Sequence, residues 1–135
     1  MKKFILPLIA MLFNLGCNSA DESNGNSADT VLPAEDLFNV AYGNENGQVM
    51  DVYLPEGRNS AITKVFILVH GGGWSSGSKS DFNYAVPILK SAFPGYAIVN
   101  INYRLATPES PAFPKQVQDI ERVIQFLKAS DYNLS

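Results

Sequence analysis

The chain is poor in the residues that build covalent or metal-bound frameworks: its 135 residues include one Cys and one His. A single Cys excludes an internal disulfide network and any Cys-rich zinc site. A single His excludes a multi-histidine metal cluster, so no metal site is expected. The same scarcity leaves His70 as the one candidate for any histidine general base. Positive charge is also scarce, with 10 Lys and Arg against 13 Asp and Glu and a net charge of −3. That balance provides no electrostatic footprint for nucleic acid. No internal repeat is present, and no apolar run approaches the roughly 20 residues of a membrane-spanning helix. The whole sequence is 46% apolar and 17% charged. Those proportions suit a globular domain and exclude collagen-like, coiled-coil and wholly disordered chains.

The N-terminus reads as an address. Lys2 and Lys3 precede ten apolar residues, Phe4 to Phe13, and small residues follow. A basic start, a short apolar centre and a small-residue exit match a secretory signal peptide, assigned to residues 1–16. Asn14-Leu15-Gly16-Cys17 resembles a bacterial lipobox, with Asn14 where an aliphatic residue is usual. The resemblance implies lipidation at Cys17 and an exported lipoprotein held at a membrane, in the periplasm or on the cell surface. A plain secretory signal with an incidental Cys is the alternative. Asn18 to Thr30 contains no apolar residue larger than Ala, so it cannot bury enough surface to offset ordering entropy. Residues 17–35 are therefore expected to form a flexible tether, and residues 36–135 the domain.

Within the domain, Phe38, Val40 and Tyr42 alternate with polar or small residues, as do Met50, Val52 and Leu54, and Asn46-Gly47 lies between the two runs. This predicts a β-hairpin over residues 36–54. Val65 to Val69 is apolar without alternation, which predicts a central strand covered on both faces. Residues 80–92 have helical spacing, with Ser80 or Asp81 as cap and Pro87 predicting a kink or two short pieces. Residues 96–103 predict a second buried strand, and residues 106–111 an extended, proline-rich loop. An amphipathic helix is predicted from Lys115 to about Ala129. Phe113, Val117, Ile120, Ile124 and Leu127 form its apolar face, with Gln116 and Asp119 on the polar remainder. The fold class is α/β, an antiparallel hairpin leading into a parallel sheet with flanking helices.

His70-Gly71-Gly72-Gly73-Trp74 directly follows the most apolar strand. Ligands of open α/β sheets bind beyond the carboxyl ends of the strands, and consecutive glycines let the backbone approach a substrate closely. Three further blocks stand around this run: Met50-Asp51-Val52-Tyr53-Leu54-Pro55, Asn102-Tyr103-Arg104-Leu105-Ala106, and Phe113-Pro114 with Val117-Gln118-Asp119-Ile120. Together the four blocks resemble the α/β-hydrolase esterases, in particular the hormone-sensitive-lipase-like and the feruloyl or acetyl esterase-like groups. The resemblance implies an N-terminal portion of that fold. It also implies oxyanion donors on Gly72, Gly73 and Trp74, with His70 and Gly71 shaping the loop rather than acting as a base. It further implies a small-molecule or carbohydrate ester as the substrate of the complete enzyme, and no cofactor.

The same resemblance predicts a nucleophile elbow, an acid and a His further along the chain. Only Gly73-Trp74-Ser75-Ser76-Gly77 spells Gly-x-Ser-x-Gly, and it lies inside the glycine loop, so Ser75 is not expected to be the nucleophile. No His follows His70. The chain is therefore expected to be an inactive part of a hydrolase. The alternatives are a non-catalytic lipoprotein on a decayed scaffold and a portion of a peptidase or amidase of the same superfamily. Arg104 follows a buried strand, where a charge needs a partner. Asp119, near the positive end of the predicted helix, is the expected partner in a structural ion pair.

Overall fold

A computed structural model describes residues 31–135, so the expected signal peptide, Cys17 and most of the expected tether lie outside the described residues. Strands β1 (Glu35–Ala41) and β2 (Val49–Leu54) form the hairpin, followed by β3 (Val65–Val69), helix α1 (Ala85–Ala92), β4 (Ala97–Ile101) and helix α2 (Lys115–Ala129). The sheet order is β1-β2-β4-β3, antiparallel except for the parallel β3–β4 pair. Alternation then separates two layers. Met50, Val52, Leu54, Ala97, Val99 and Ile101 meet Val123 and Leu127 of α2. Tyr53 and Ile98, on the opposite face, meet Val86 of α1.

Four expectations are corrected. In β1 a bulge at Asn39, whose φ is +55°, shifts the register between Leu37 and Val40. Leu37 and Val40 therefore face the core, and Phe38 is turned outward, 63% exposed, with its ring edge against Tyr53. Strand β3 is not central among the described residues. It stands at the sheet edge with all five residues only half-buried, because its apolar run has β4 on one side alone. The stretch after the glycine loop forms two short pieces, one of the two expected outcomes, a 3-10 turn at Lys79–Phe82 and α1, and what is corrected there is the cap. Pro87 falls in the first turn of α1, where its missing N–H has no helical partner to lose. Neither Ser80 nor Asp81 is the cap of that turn: Ser78 precedes it, its N–H donating to Asp81 Oδ2 (3.0 Å).

The fourth correction concerns α2. Its buried residues are Gln116, Asp119, Val123 and Leu127, while Phe113, Val117 and Ile124 stay exposed. The apolar stripe is wider than the part of the sheet beneath it. The helix settles instead with two polar residues inward. Asp119 is held by Arg104 and Gln48, whereas Gln116 is partnered through Nε2 and, among the described residues, its buried Oε1 accepts no hydrogen bond.

Candidate functional site

The glycine loop leaves the C-terminal end of β3 and is tied down along its length. At its entry His70 is buried, its ring stacked on Tyr103 with centroids 4.2 Å apart, and the Tyr103 hydroxyl donates to His70 O (2.9 Å). His70 Nδ1 lies 2.8 Å from Gly71 O, a spacing that needs the proton on Nδ1. At the tip, Ser75 and Ser76 N–H both donate to Gly72 O (3.2 and 3.1 Å), and Ala106 N–H donates to Trp74 O (2.8 Å).

Gly72, Gly73 and Trp74 all have positive φ, +110°, +59° and +66°. The requirement for glycine is firmest at Gly72, where a Cβ would lie 2.1 Å from Ser76 O. Trp74 has no such exemption. A bulky residue in the left-handed region costs on the order of 1–3 kcal/mol and persists only where its surroundings impose it. The loop residues Gly71 to Gly77 are exposed. Among the described residues, the N–H groups of Gly72, Gly73 and Trp74 have no protein acceptor. The three expected oxyanion donors thus sit side by side with their N–H groups free. Among the described residues, Ser75 Oγ has only Gly72 O within reach, at 3.5 Å, and makes no hydrogen bond with His70.

A cleft of about 240 Å³ opens beside the loop, lined by Asn46, Gly47, His70, Ser78, Asn102 and Leu105 among others. On another side Trp74, Ala112, Phe113 and Val117 line a smaller, apolar hollow. Trp74 is 45% and Phe113 80% exposed. Among the described residues no three His, Cys, Asp or Glu side chains gather as metal ligands.

The structure brings Arg104 and Asp119 together. Arg104 Nη2 lies 2.6 Å from Asp119 Oδ1, its Nε is 2.9 Å from both carboxylate oxygens, and its backbone N–H donates to Oδ2 (2.9 Å). Gln48, missed from the sequence, donates from Nε2 to Asp119 Oδ1 (2.7 Å). Gln116 Nε2 donates to Arg104 O (2.6 Å). Burial alone would raise the Asp119 pKa. The hydrogen bonds from the Arg104 side chain and backbone, and from Gln48, outweigh it and hold the carboxyl below the usual carboxylate range. The pair thereby fixes the chain that passes from β4 under Trp74 into α2.

A second buried cluster was also missed. Asp51, Asn100 and Asn102 surround Lys79 at the exit of the loop. The readable signal was a polar residue inside an apolar strand, as in Ile98-Val99-Asn100-Ile101.

Comparison with known proteins agrees with this layout. The BD-FAE family profile matches residues 50–135. Esterase LipC of Mycobacterium tuberculosis is 30% identical over 91 residues, covering 67% of this chain and 22% of that protein. Kynurenine formamidase of Salmo salar is 35% identical over 74 residues, 54% of this chain and 24% of that one. The chain therefore spans about a quarter of the length of these curated relatives. Among solved structures, a truncated carbohydrate esterase from gut microbiota superposes with a TM-score of 0.57 at 27% identity, over 75% of this chain and 36% of that one. Esterase B of Lactobacillus rhamnosis, in an inhibited form, gives 0.56 at 26% identity, over 75% and 32%. The family match covers the glycine loop and α2, and the chain belongs to the BD-FAE family of α/β-hydrolase esterases.

Proposed function

We propose that this chain carries the oxyanion-stabilising part of a serine acyl-transfer site in an exported, lipid-anchored carboxylic-ester hydrolase. The observation behind the reading is the row of free N–H groups on Gly72, Gly73 and Trp74, on an exposed turn beyond β3. When a serine hydroxyl adds to an ester carbonyl, the carbonyl π electrons move to oxygen, which takes the negative charge. Donors already in place stabilise that charge without reorganising, and removing one typically costs about 2.7–4 kcal/mol. The strained Trp74 supports the same reading, since backbone strain of this kind gathers at functional sites. Trp74, Phe113 and Val117 would flank an apolar acyl or alcohol group. The cleft at His70, where Asn46, Ser78 and Asn102 offer polar groups, would suit a hydroxyl-bearing alcohol, so small-molecule and carbohydrate esters are the substrate class. The likeness to a carbohydrate esterase supports that class. His70, stacked and hydrogen-bonded within the loop, is a shaping residue.

The test of the loop is direct. Titration of the whole chain with methylphosphonate, a tetrahedral oxyanion mimic, should shift the Gly72, Gly73 and Trp74 amide resonances, and chloride at equal ionic strength should not. Unmoved resonances would remove the basis of the proposal. Hydrolysis is a separate matter, because among the described residues Ser75 Oγ makes no hydrogen bond with a base. The chain by itself is expected not to turn over p-nitrophenyl acetate. Turnover abolished by Ser75→Ala would overturn both that expectation and the dismissal of Ser75.

A second reading is amide hydrolysis, favoured by the 35% identity to a kynurenine formamidase. The tetrahedral oxyanion is the same for ester and amide, so the loop serves either, and the difference lies in protonating a nitrogen leaving group. Export and anchoring rest on residues 1–17 and the polar stretch after them. Labelled palmitate is expected to enter the chain and to be absent from Cys17→Ala. Incorporation surviving that substitution would refute the anchor while leaving export untouched.

A further inference from the structure

We infer that Lys79 is a positioning residue that fixes the exit of the glycine loop, acting through Asp51, Asn100 and Asn102. The inference deepens the oxyanion reading and rests on it for its catalytic meaning. All three polar groups of Lys79 are held by side chains of the sheet or of the residue just after β4. Its ammonium donates to Asp51 Oδ2 (2.6 Å), its N–H donates to Asn102 Oδ1 (2.6 Å), and its carbonyl accepts from Asn100 Nδ2 (2.7 Å). The Lys79 and Asp51 side chains are 16% and 6% exposed. The other Asp51 oxygen accepts from the N–H of Asn39, the bulge residue of β1 (2.8 Å).

Stability alone is a poor account of this arrangement. Removing two charges from water offsets much of their attraction, and apolar packing of the same volume often does as well. Asn100 Oδ1 is, in addition, buried without a partner, a further cost at the same spot. What the cluster does provide is place. Two residues before Lys79, Gly77 closes the loop onto its own start, where a Cβ would lie 2.6 Å from both Gly71 O and His70 Nδ1. With Tyr103 holding the entry, Ala106 the tip and Lys79 the exit, the three free N–H groups sit on a segment pinned at three points. Pre-organisation of that kind is what lets N–H dipoles act on a developing charge without reorganisation cost.

Trp74 is the only Trp in the chain, so its fluorescence reports on this loop alone. In the full chain, Lys79→Met is expected to raise acrylamide quenching of Trp74 about twofold, as for a segment released from its tertiary contacts. Asp51→Asn should have a similar effect, and the double variant should add little to either. If Lys79→Met fails to fold by circular dichroism, Asn102→Ala, which removes only the acceptor of the Lys79 N–H, carries the test with the same expected direction. Unchanged Trp74 quenching in a folded variant, with only the melting temperature lowered, would mean a purely structural pair and would overturn the inference. Failure of the oxyanion reading is distinguishable, because it leaves the wild-type Gly72 and Gly73 amides indifferent to methylphosphonate.

Discussion

Replacing Arg104 with alanine is expected to destabilise the fold by about 3–5 kcal/mol, the range for stranding one member of a buried ion pair. The carboxylate left behind is fully buried, since Asp119 has no exposed side-chain surface, whereas the Arg104 side chain is 21% exposed. Gln48 Nε2 and the backbone N–H of residue 104 would remain as donors, and two hydrogen bonds do not neutralise a buried charge. Arg104→Lys should recover only part of the loss, because an ammonium is a point charge and cannot meet both carboxylate oxygens as the guanidinium fork does. Equilibrium urea unfolding measures both. A loss under about 1 kcal/mol for Arg104→Ala would place the pair among exposed, screened ones and refute the account.

The pH dependence separates this pair from a general packing defect. In the wild type Asp119 titrates below its unfolded value of about 3.9. The unfolded chain therefore binds its proton first as pH falls. The contribution is fully present above that value and is lost as pH drops toward the folded pKa. Without Arg104, burial becomes the dominant influence and lifts the carboxyl above its unfolded value, so the sign reverses. Stability of Arg104→Ala should then fall as pH rises from about 4 toward neutrality. The gap between the two proteins is expected to be smallest in acid and to widen with pH.

This pair also marks how far the fold was readable in advance. An Arg directly after an apolar strand must either reach water or find an anion, and Asp119 begins the second turn of a helix whose limits are plain from residue periodicity. The polar partners behind it were not readable. Gln48 follows a hairpin turn and looks like any solvated loop residue, and only the sheet order β1-β2-β4-β3 carries it to α2. The same limit hid Lys79. It sits 28 residues from Asp51, and nothing local distinguishes it from a surface lysine. The β1 bulge illustrates a different failure: the alternation predicts the strand, but one extra residue at Asn39 turns Phe38 outward and Leu37 inward, while Val40 and Tyr42 keep the core side. Strand β3 was misplaced because an unbroken apolar run reports what a strand is built to contact, not which neighbours the described chain supplies. The glycine loop, by contrast, was legible because steric exclusion acts locally, residue by residue.

Gly72→Ala is the substitution that puts that local constraint to the test, and it is expected to dismantle the loop. The added Cβ would lie 2.1 Å from Ser76 O, 2.6 Å from its carbonyl carbon and 2.8 Å from Ser76 Oγ, and the backbone φ of +110° is one that alanine rarely adopts. Two of these three atoms are backbone, so no side-chain rotation relieves the clash. Relief requires breaking the turn in which Ser75 and Ser76 N–H donate to Gly72 O, and with it the geometry that leaves three N–H groups free. Gly73 offers an internal control. Its φ is also left-handed, +59°, but a Cβ there meets nothing within 4 Å, so Gly73→Ala carries backbone strain alone, about 1–2 kcal/mol. The two variants should therefore separate. In Gly72→Ala, Trp74 emission should shift and the methylphosphonate response should vanish, while the sheet, whose core lies away from the loop, keeps its circular dichroism. Gly73→Ala should retain a weakened response at the same amides. Equal behaviour of the two would show that glycine at 72 serves flexibility in general, and that the contact with Ser76 does not shape the loop.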